Sequence, residues 1–224
     1  MSIIERLTAL FAPDDCLNCG KEGSLLCPVC LPLLPALSGV CFSCHQSVKL
    51  AASCQDCLHE IGLDRLYVVS SYEGVAKSLV TTLKFNGNQS AARIMAESMC
   101  SFLAPLSKNI HLTYMPATTQ HVRQRGYDQS ELLARHLSRR LGVPKLSTLR
   151  RQGQTHQLGA SRDQRLEQLS SALSVRNHKL IEGKYIILID DVLTTGSSLR
   201  AATSVLRAAG AARVDGLVFA QAYK

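Results

Sequence analysis

The sequence contains no tryptophan, and aromatic residues make up only 5% of the chain. A core built by this chain must therefore consist mainly of Leu, Val, Ile and Ala. No run of 18 apolar residues occurs, so the sequence predicts no transmembrane helix. The mildly apolar first thirteen residues are interrupted by Glu5 and Arg6, which is not typical of a signal peptide. We therefore expect a cytoplasmic protein whose thiols stay reduced.

Acidic residues are also in short supply, with 17 Asp and Glu against 25 Lys and Arg, a formal net charge of +8. A basic surplus favours anionic partners, namely phosphates, nucleic acid or an acidic membrane surface. It is equally compatible with a basic enzyme that binds no polymer, so charge alone does not decide between these classes. The length of 224 residues suits one ordinary domain with a small appendage.

Cysteine is concentrated near the start of the sequence, where eight of the chain's nine cysteines form four C-x-x-C pairs. In a reducing compartment such pairs are metal-binding knuckles rather than disulfides. Two knuckles together supply the four sulfur ligands that zinc prefers, so eight cysteines predict about two structural Zn²⁺ ions. The predicted ligands are Cys16 and Cys19, Cys27 and Cys30, Cys41 and Cys44, and Cys54 and Cys57.

The order in which the knuckles pair is open. Sequential pairing gives two tandem ribbons, whereas pairing the first knuckle with the third gives a cross-braced module. Short gaps between the pairs favour the sequential order, and iron is a weaker alternative to zinc. A segment this short lacks an adequate apolar core, so metal must supply its folding energy. A structural or partner-docking role and direct nucleic-acid contact both remain open for it.

Beyond the cysteines, alternating strand and helix patterns predict an α/β domain with a mostly parallel sheet. We therefore divide the chain into a double zinc-ribbon module, residues 1–62, and an α/β domain, residues 63–224. A polar stretch over 150–165 predicts a mobile loop that leads into a short helix. The predicted strands are 66–70, 111–115, 145–149, 185–189 and 213–220, and the predicted helices are 75–85, 90–103, 128–141 and 198–209.

The most informative segment follows the apolar run 185–189, which predicts a central strand covered on both faces. Asp190 and Asp191 come next, and then a hydroxyl-rich turn, residues 194–198, that opens a helix. Ligands of open α/β sheets bind beyond the carboxyl ends of strands, and a turn before a helix N-terminus can hold a phosphate. Gly196 would let the backbone approach that phosphate closely. The two acids suit ribose hydroxyls, directly or through Mg²⁺.

This segment resembles the phosphoribosyl-pyrophosphate (PRPP) motif of type I phosphoribosyltransferases. The resemblance implies a type I phosphoribosyltransferase fold, a mostly parallel sheet flanked by helices, that follows the N-terminal zinc module in the chain. It also implies that Asp190 and Asp191 hold the ribose. The residues implied to hold the 5′-phosphate are Thr194, Thr195, Gly196, Ser197 and Ser198. Purine-salvage members carry an Asp where this chain has Thr194, so we do not expect purine salvage.

Three further segments resemble the ComF family of competence proteins. Arg123-x-Arg125-Gly-Tyr-Asp-Gln-Ser130 follows Pro116, Leu83-Lys84-Phe85 lies earlier, and Gln157–Ser161 lies later. An N-terminal zinc ribbon is also typical of that family. The departures from its pattern are Asp128, Ala160 and Gln168. Pyrophosphate needs cations, so Lys84, Arg123 and Arg125 are predicted to bind PRPP.

The ComF resemblance implies a part in natural transformation, in the uptake and inner-membrane handling of single-stranded DNA. The implied partners are PRPP, single-stranded DNA, a ComF-type helicase and DNA-processing proteins, with peripheral association at the inner face of the inner membrane as an option. One alternative is an active phosphoribosyltransferase of unknown acceptor in nucleotide metabolism, in which Asp190 and Asp191 would be catalytic and Mg²⁺ would accompany PRPP. Another is a zinc-ribbon adaptor with a vestigial site.

Overall fold

The computed structural model describes residues 14–48, 52–103, 109–151 and 172–223. Its centre is a four-stranded, entirely parallel sheet in the order β1-β6-β5-β2, and a two-stranded antiparallel sheet, β3-β4, lies apart from it. This confirms the predicted α/β class. The strands are β1 (Arg65–Ser71), β2 (Ile110–Tyr114), β3 (Leu149–Arg151), β4 (Leu173–Val175), β5 (Tyr185–Leu193) and β6 (Arg213–Gln221).

Helices cover both faces of the parallel sheet, which explains the continuous apolar run of β5. The helices are α1 (Gln55–Ile61), α2 (Gly74–Phe85), α3 (Ser90–Leu103), α4 (Thr119–Arg125), α5 (Gln129–Leu141) and α6 (Ser197–Ala208). Ile187 and Ile189 pack on one face with α2, α3 and α5, while Ile186 and Leu188 pack on the other with α1 and α6. The alternation follows from the two-residue period of a strand.

The start of α5 shows how the sequence fixes an element boundary. The Asp128 side chain accepts hydrogen bonds from the backbone N–H groups of Ser130 and Glu131, as an N-cap does. The Glu131 carboxylate, three residues after the cap, does not complete a capping box and lies 2.8 Å from Nζ of Lys145. At the other end Gly142 adopts a left-handed conformation and closes the helix.

Two predictions about elements were wrong, and two short helices were not predicted. Residues 145–149 do not form a strand: Lys145 makes one bridge to Leu112, and the strand begins only at Leu149. Arg150 and Arg151 therefore lie in β3 rather than in a loop, while the rest of the predicted loop, 152–165, lies outside the described residues. Short helices α1 and α4 were not predicted, since seven residues give too little periodicity to detect.

The cysteine-rich segment packs directly against the α/β core. The hydroxyl groups of Ser70 and Ser71, at the end of β1, donate hydrogen bonds of 2.6 Å to the carbonyls of Pro35 and Ala36. Nδ2 of Asn88 lies 2.7 Å from Oδ1 of Asp14. The segment is therefore joined to the sheet by hydrogen bonds as well as by covalent linkage, and the domain boundary at residue 62 stays a prediction.

Candidate functional site

The carboxyl ends of β5 and β2 bring the predicted site residues to one edge of the sheet. β5 continues through Leu193, so Asp190 and Asp191 lie inside the strand rather than after it. The hydroxyl-rich turn follows at once and α6 begins at Ser197. Thr194 and Thr195 are exposed, and the Thr195 and Ser197 hydroxyl oxygens lie 3.0 Å apart.

Asp190 accepts two hydrogen bonds through Oδ1, from the Ser130 hydroxyl at 3.1 Å and from the Asp191 backbone N–H at 2.9 Å. Burial of the carboxyl, reinforced by the neighbouring Asp191 charge, raises the pKa of Asp190 to about 7. A cation or an additional hydrogen-bond donor would stabilise the charged form of this carboxyl. The site is thus prepared for a ligand that supplies positive charge or hydroxyl groups.

Asp191 is only 4% exposed and forms an ion pair with Lys84, whose Nζ lies 2.9 Å from Oδ2. Lys84 lies in the last turn of α2, and the Tyr127 hydroxyl donates a hydrogen bond to the preceding carbonyl of Leu83. The ion pair with Lys84 offsets the cost of burying this charge, and a carboxylate offers about four lone-pair positions, so Asp191 keeps capacity for a ligand hydroxyl or a metal ion.

Asp128 departs from the ComF pattern, and its carboxylate has a structural use. Oδ2 accepts a hydrogen bond of 2.7 Å from the Ala117 backbone N–H, while Oδ1 caps α5. Burial raises the pKa of Asp128, and these backbone donors oppose that effect. Asp128 therefore ties the segment after β2 to the start of α5 instead of directing its charge at the site.

The two predicted arginines of α4 take different positions. Arg125 donates a hydrogen bond of 2.8 Å to Oε1 of Gln129, and its guanidinium lies 5.6 Å from the centre of the Phe85 ring. Arg123 is exposed and forms no hydrogen bond or ion pair with another described residue. A cavity of about 310 Å³ lies beside Lys84, lined also by Phe85, Gly87, His121, Gln124, Arg125 and Tyr127.

Two residues lie near Asp190 in a way that the sequence reasoning did not predict. Ser130 was part of the recognised motif, but its hydrogen bond to Asp190 could be known only once α5 was placed beside β5. Arg151 is half-buried on β3, where burial lowers its pKa and the Asp190 charge opposes that effect. Arg151 is therefore a cation close enough to Asp190 to act on it.

The eight paired cysteines form two groups, and within each group the sulfur atoms lie within 4.8 Å of one another. This confirms sequential pairing and excludes the cross-braced order. A tetrahedral shell with Zn–S bonds of about 2.3 Å places its sulfurs about 3.8 Å apart. The Cys19 and Cys27 sulfurs are 3.8 Å apart, and those of Cys44 and Cys54 are 3.7 Å apart, so both groups fit zinc. The first cysteine group is Cys16, Cys19, Cys27 and Cys30, and the second cysteine group is Cys41, Cys44, Cys54 and Cys57.

The second cysteine group adjoins the hydroxyl-rich turn. A side chain at Gly196 would meet the Phe42 ring, whose Cε2 would lie 2.4 Å from the added Cβ. Gly196 also has φ of 72°, a left-handed conformation that favours glycine. The missing side chain of Gly196 thus leaves room for the Phe42 ring, and the close approach of its backbone to a phosphate stays a prediction.

Comparison with known proteins agrees with this arrangement. Residues 128–222 match the phosphoribosyl transferase domain family. Competence protein F of Haemophilus influenzae is 28% identical over 204 residues, covering 80% of this chain and 89% of that protein. Competence protein ComFC of Bacillus subtilis is 27% identical, covering 86% and 82% respectively. DNA utilization protein YhgH of Salmonella typhimurium is 27% identical over 217 residues, covering 85% and 94%.

The family match and the parallel sheet together confirm a phosphoribosyltransferase fold with an N-terminal cysteine-rich module. The resemblance to the ComF family, drawn first from short motifs, is confirmed over most of the chain. Among the described residues, no helix combines the length and apolar character needed to cross a bilayer.

Proposed function

We propose that this chain, a relative of the ComF competence proteins with a phosphoribosyltransferase domain, binds PRPP and takes part in the uptake of single-stranded DNA. The observation that best supports a PRPP site is the pair of carboxylates, Asp190 and Asp191, near the carboxyl end of β5. One has a pKa raised to about 7 by burial, and the other is 4% exposed and balanced by a single cation, Lys84. Both are features of a site that is completed by its ligand.

In this proposal Asp190 and Asp191 accept hydrogen bonds from the ribose hydroxyls, and the hydroxyl-rich turn receives the 5′-phosphate at the N-terminus of α6. Lys84 lies beside Asp191 and supplies a cation for the pyrophosphate, with Arg125 and the exposed Arg123 further along that edge. Mg²⁺, held by the carboxylates together with pyrophosphate oxygens, would neutralise the charge of the pyrophosphate. Arg151, on the Asp190 side, stabilises that carboxylate once it ionises.

Calorimetric titration of the zinc-loaded protein with PRPP and Mg²⁺ tests this site. We expect the double variant Asp190→Ala, Asp191→Ala to lose measurable PRPP affinity while its thermal unfolding stays cooperative. Glu97→Gln, an exposed acid on α3, is the matched control for lost negative charge and should bind like the wild type. Unchanged affinity in the double variant would refute the site.

We place the contact with single-stranded DNA at Phe85 and Arg125, which line the cavity beside Lys84. Phe85 is 72% exposed, unusual for a phenyl ring, and Arg125 covers only part of it. An aromatic ring among cations is the pattern of surfaces that stack unpaired bases and neutralise phosphates. The adjacent cavity of about 310 Å³ has room for a base.

Phe85→Ala should weaken binding of a short oligonucleotide by about 5- to 150-fold, since stacking of one base contributes about 1–3 kcal/mol. Leu180→Ala removes another exposed apolar side chain, one that does not line this cavity, and is the control. Arg125→Gln should also reduce the salt dependence of binding by about one phosphate contact. Equal affinity of Phe85→Ala and wild type would place the DNA elsewhere, for instance on the cysteine-rich module.

A transformation assay tests whether DNA uptake depends on the PRPP site. A deletion strain of the source organism should regain DNA uptake with the wild-type gene but not with the Asp190→Ala, Asp191→Ala variant. Rescue by both would assign the protein a scaffold role in uptake that does not need PRPP.

The alternative is an active phosphoribosyltransferase, which the same carboxylates would also suit. In that reaction the bond from C1 of the ribose to pyrophosphate breaks as an acceptor nitrogen forms a new bond to C1. Release of pyrophosphate from PRPP, dependent on an added nucleobase or oligonucleotide, would support this function. PRPP that binds without turnover in the presence of every acceptor tested would favour a regulatory ligand.

A further inference from the structure

Phe42 lies between Cys41 and Cys44, two sulfur ligands of the second cysteine group. Its side chain is 6% exposed and belongs to the same apolar cluster as Leu193 and Leu199, the residues on either side of the hydroxyl-rich turn. A metal ion bound by cysteines one residue before and two residues after Phe42 fixes the backbone on both sides of it. The position of this ring is therefore set by the metal site.

The ring touches the turn at Gly196. Three ring carbons of Phe42 would lie 2.4, 3.0 and 3.3 Å from a Cβ at that position, closer than a side chain could tolerate. Gly196 is buried beneath the ring and is also the N-cap residue of α6. The contact thus fixes the position of Gly196, which precedes the first backbone N–H groups of α6.

A second contact joins the same cysteine group to α6. Cys57 lies in α1, and α1 packs along α6 through Leu58 and Ile61. Gly62, which ends α1, approaches Thr203 of α6 so closely that an added Cβ would lie 3.3 Å from its Cγ2. The second cysteine group therefore holds α6 both at its N-terminus and along its side.

We infer that Phe42 is a positioning residue for the PRPP site, held against Gly196 by the metal of the second cysteine group. This rests on the proposed function and deepens it: the metal would keep the turn in the conformation that receives the phosphate. The first cysteine group packs through Leu25 and Leu26 on the other face of the sheet. Because the contact with Gly196 comes from the second group, we expect the second metal site to affect the turn more strongly than the first.

A double-mutant cycle tests the contact without any ligand. Gly196→Ala should lower the Tm of the wild type, because the new methyl group meets the Phe42 ring and because φ of 72° strains alanine. In a Phe42→Ala background the clash is absent, so the same substitution should lower the Tm by less. Equal decreases in the two backgrounds would overturn the contact.

PRPP affinity tests the consequence. Phe42→Leu keeps an apolar side chain in the cluster but removes the ring, so we expect normal zinc content and about tenfold weaker PRPP binding, within the range of couplings between contacting residues. The Gly196 Hα resonances should lose the ring-current shift that the phenyl ring imposes. Wild-type affinity in Phe42→Leu, with zinc bound, would refute a positioning role.

Cys19 and Cys44 are both exposed, and each is the second cysteine of its group, so their substitution gives a matched pair of variants. Cys44→Ser perturbs the second metal site and should weaken PRPP binding, whereas Cys19→Ser perturbs the first and should leave the affinity within about twofold of the wild type. Equal losses in both would show that metal acts only through general stability. If wild-type protein binds no PRPP, the proposed function fails, but the thermal cycle still decides whether Phe42 holds Gly196.

Discussion

Asp190 should make the ligand-free protein less stable above neutral pH, and its replacement by asparagine should remove that loss. An asparagine side chain can still accept hydrogen bonds from Ser130 and from the Asp191 N–H through its carbonyl oxygen, so the local geometry is preserved. Only the buried negative charge is lost. Asp190→Asn therefore isolates the energetic cost of keeping an ionised carboxyl at the end of β5.

The sign and size follow from the pKa of Asp190, raised from 3.8 to about 7 by burial and by the Asp191 charge. The native state then binds more protons than the unfolded state between these values, so the free energy of unfolding falls as pH rises toward 7 and is constant above about pH 8. Each tenfold change in proton affinity corresponds to about 1.4 kcal/mol, so the wild type should lose about 2 kcal/mol between pH 5.5 and 7. Asp190→Asn should lack this decrease.

Urea unfolding at several pH values from about 5.5 to 8.5, with zinc content checked at each because thiolate ligands bind protons, measures the effect. The difference between Asp190→Asn and wild type should grow with pH, while Glu97→Gln should follow the wild type throughout. The same Asp190→Asn protein should bind PRPP poorly at about pH 8, because an amide accepts hydrogen bonds through one oxygen only. Parallel stability profiles for Asp190→Asn and wild type would contradict the raised pKa and the desolvated site it implies.

Other expectations concern metal and buried charge. Purified protein should contain about two zinc ions per chain by elemental analysis, and a content near zero would contradict the tetrahedral sulfur groups. Arg213→Ala should destabilise the protein by about 1.5–3 kcal/mol in urea unfolding, because fully buried Asp215 would lose its two hydrogen bonds from half-exposed Arg213 and, among the described residues, keep only the Tyr185 hydroxyl as partner. Asp128→Ala should cost about 1–2 kcal/mol through loss of the α5 cap, and a value near zero would show that water replaces the carboxylate.

The sequence predicted long elements well because their periodicity is strong. Helix α3 has the predicted bounds, Ser90–Leu103, and α5 starts at Gln129, one residue after the predicted start. The carboxylates and the turn after β5 were found because an apolar strand followed by acids and hydroxyls has a specific chemistry. The grouping of cysteines was also favoured correctly, since short gaps in the chain limit which knuckles can meet.

Contacts between distant segments were not accessible from the sequence. Nothing in the spacing of Cys41 and Cys44 indicates that Phe42 reaches Gly196, far along the chain. Likewise, the continuation of β5 past Asp190 depends on its pairing with β6 through Leu193, because acids alone suggest a strand end. Arg151 was assigned to a polar loop because its pairing with β4 leaves no periodic signal in three residues.

The cysteine-rich segment contacts residues that are synthesised much later than the segment itself. The Val40 carbonyl accepts a hydrogen bond from Gln221, and the Ser38 N–H donates to the Tyr223 hydroxyl. At about 5–20 residues per second, a ribosome makes the later partner roughly 10–40 s after the earlier one. During that interval the metal knuckles can already load zinc, while the apolar surface that clusters with β6 stays uncovered. Newly made chains should therefore depend on chaperones most strongly just before β6 emerges.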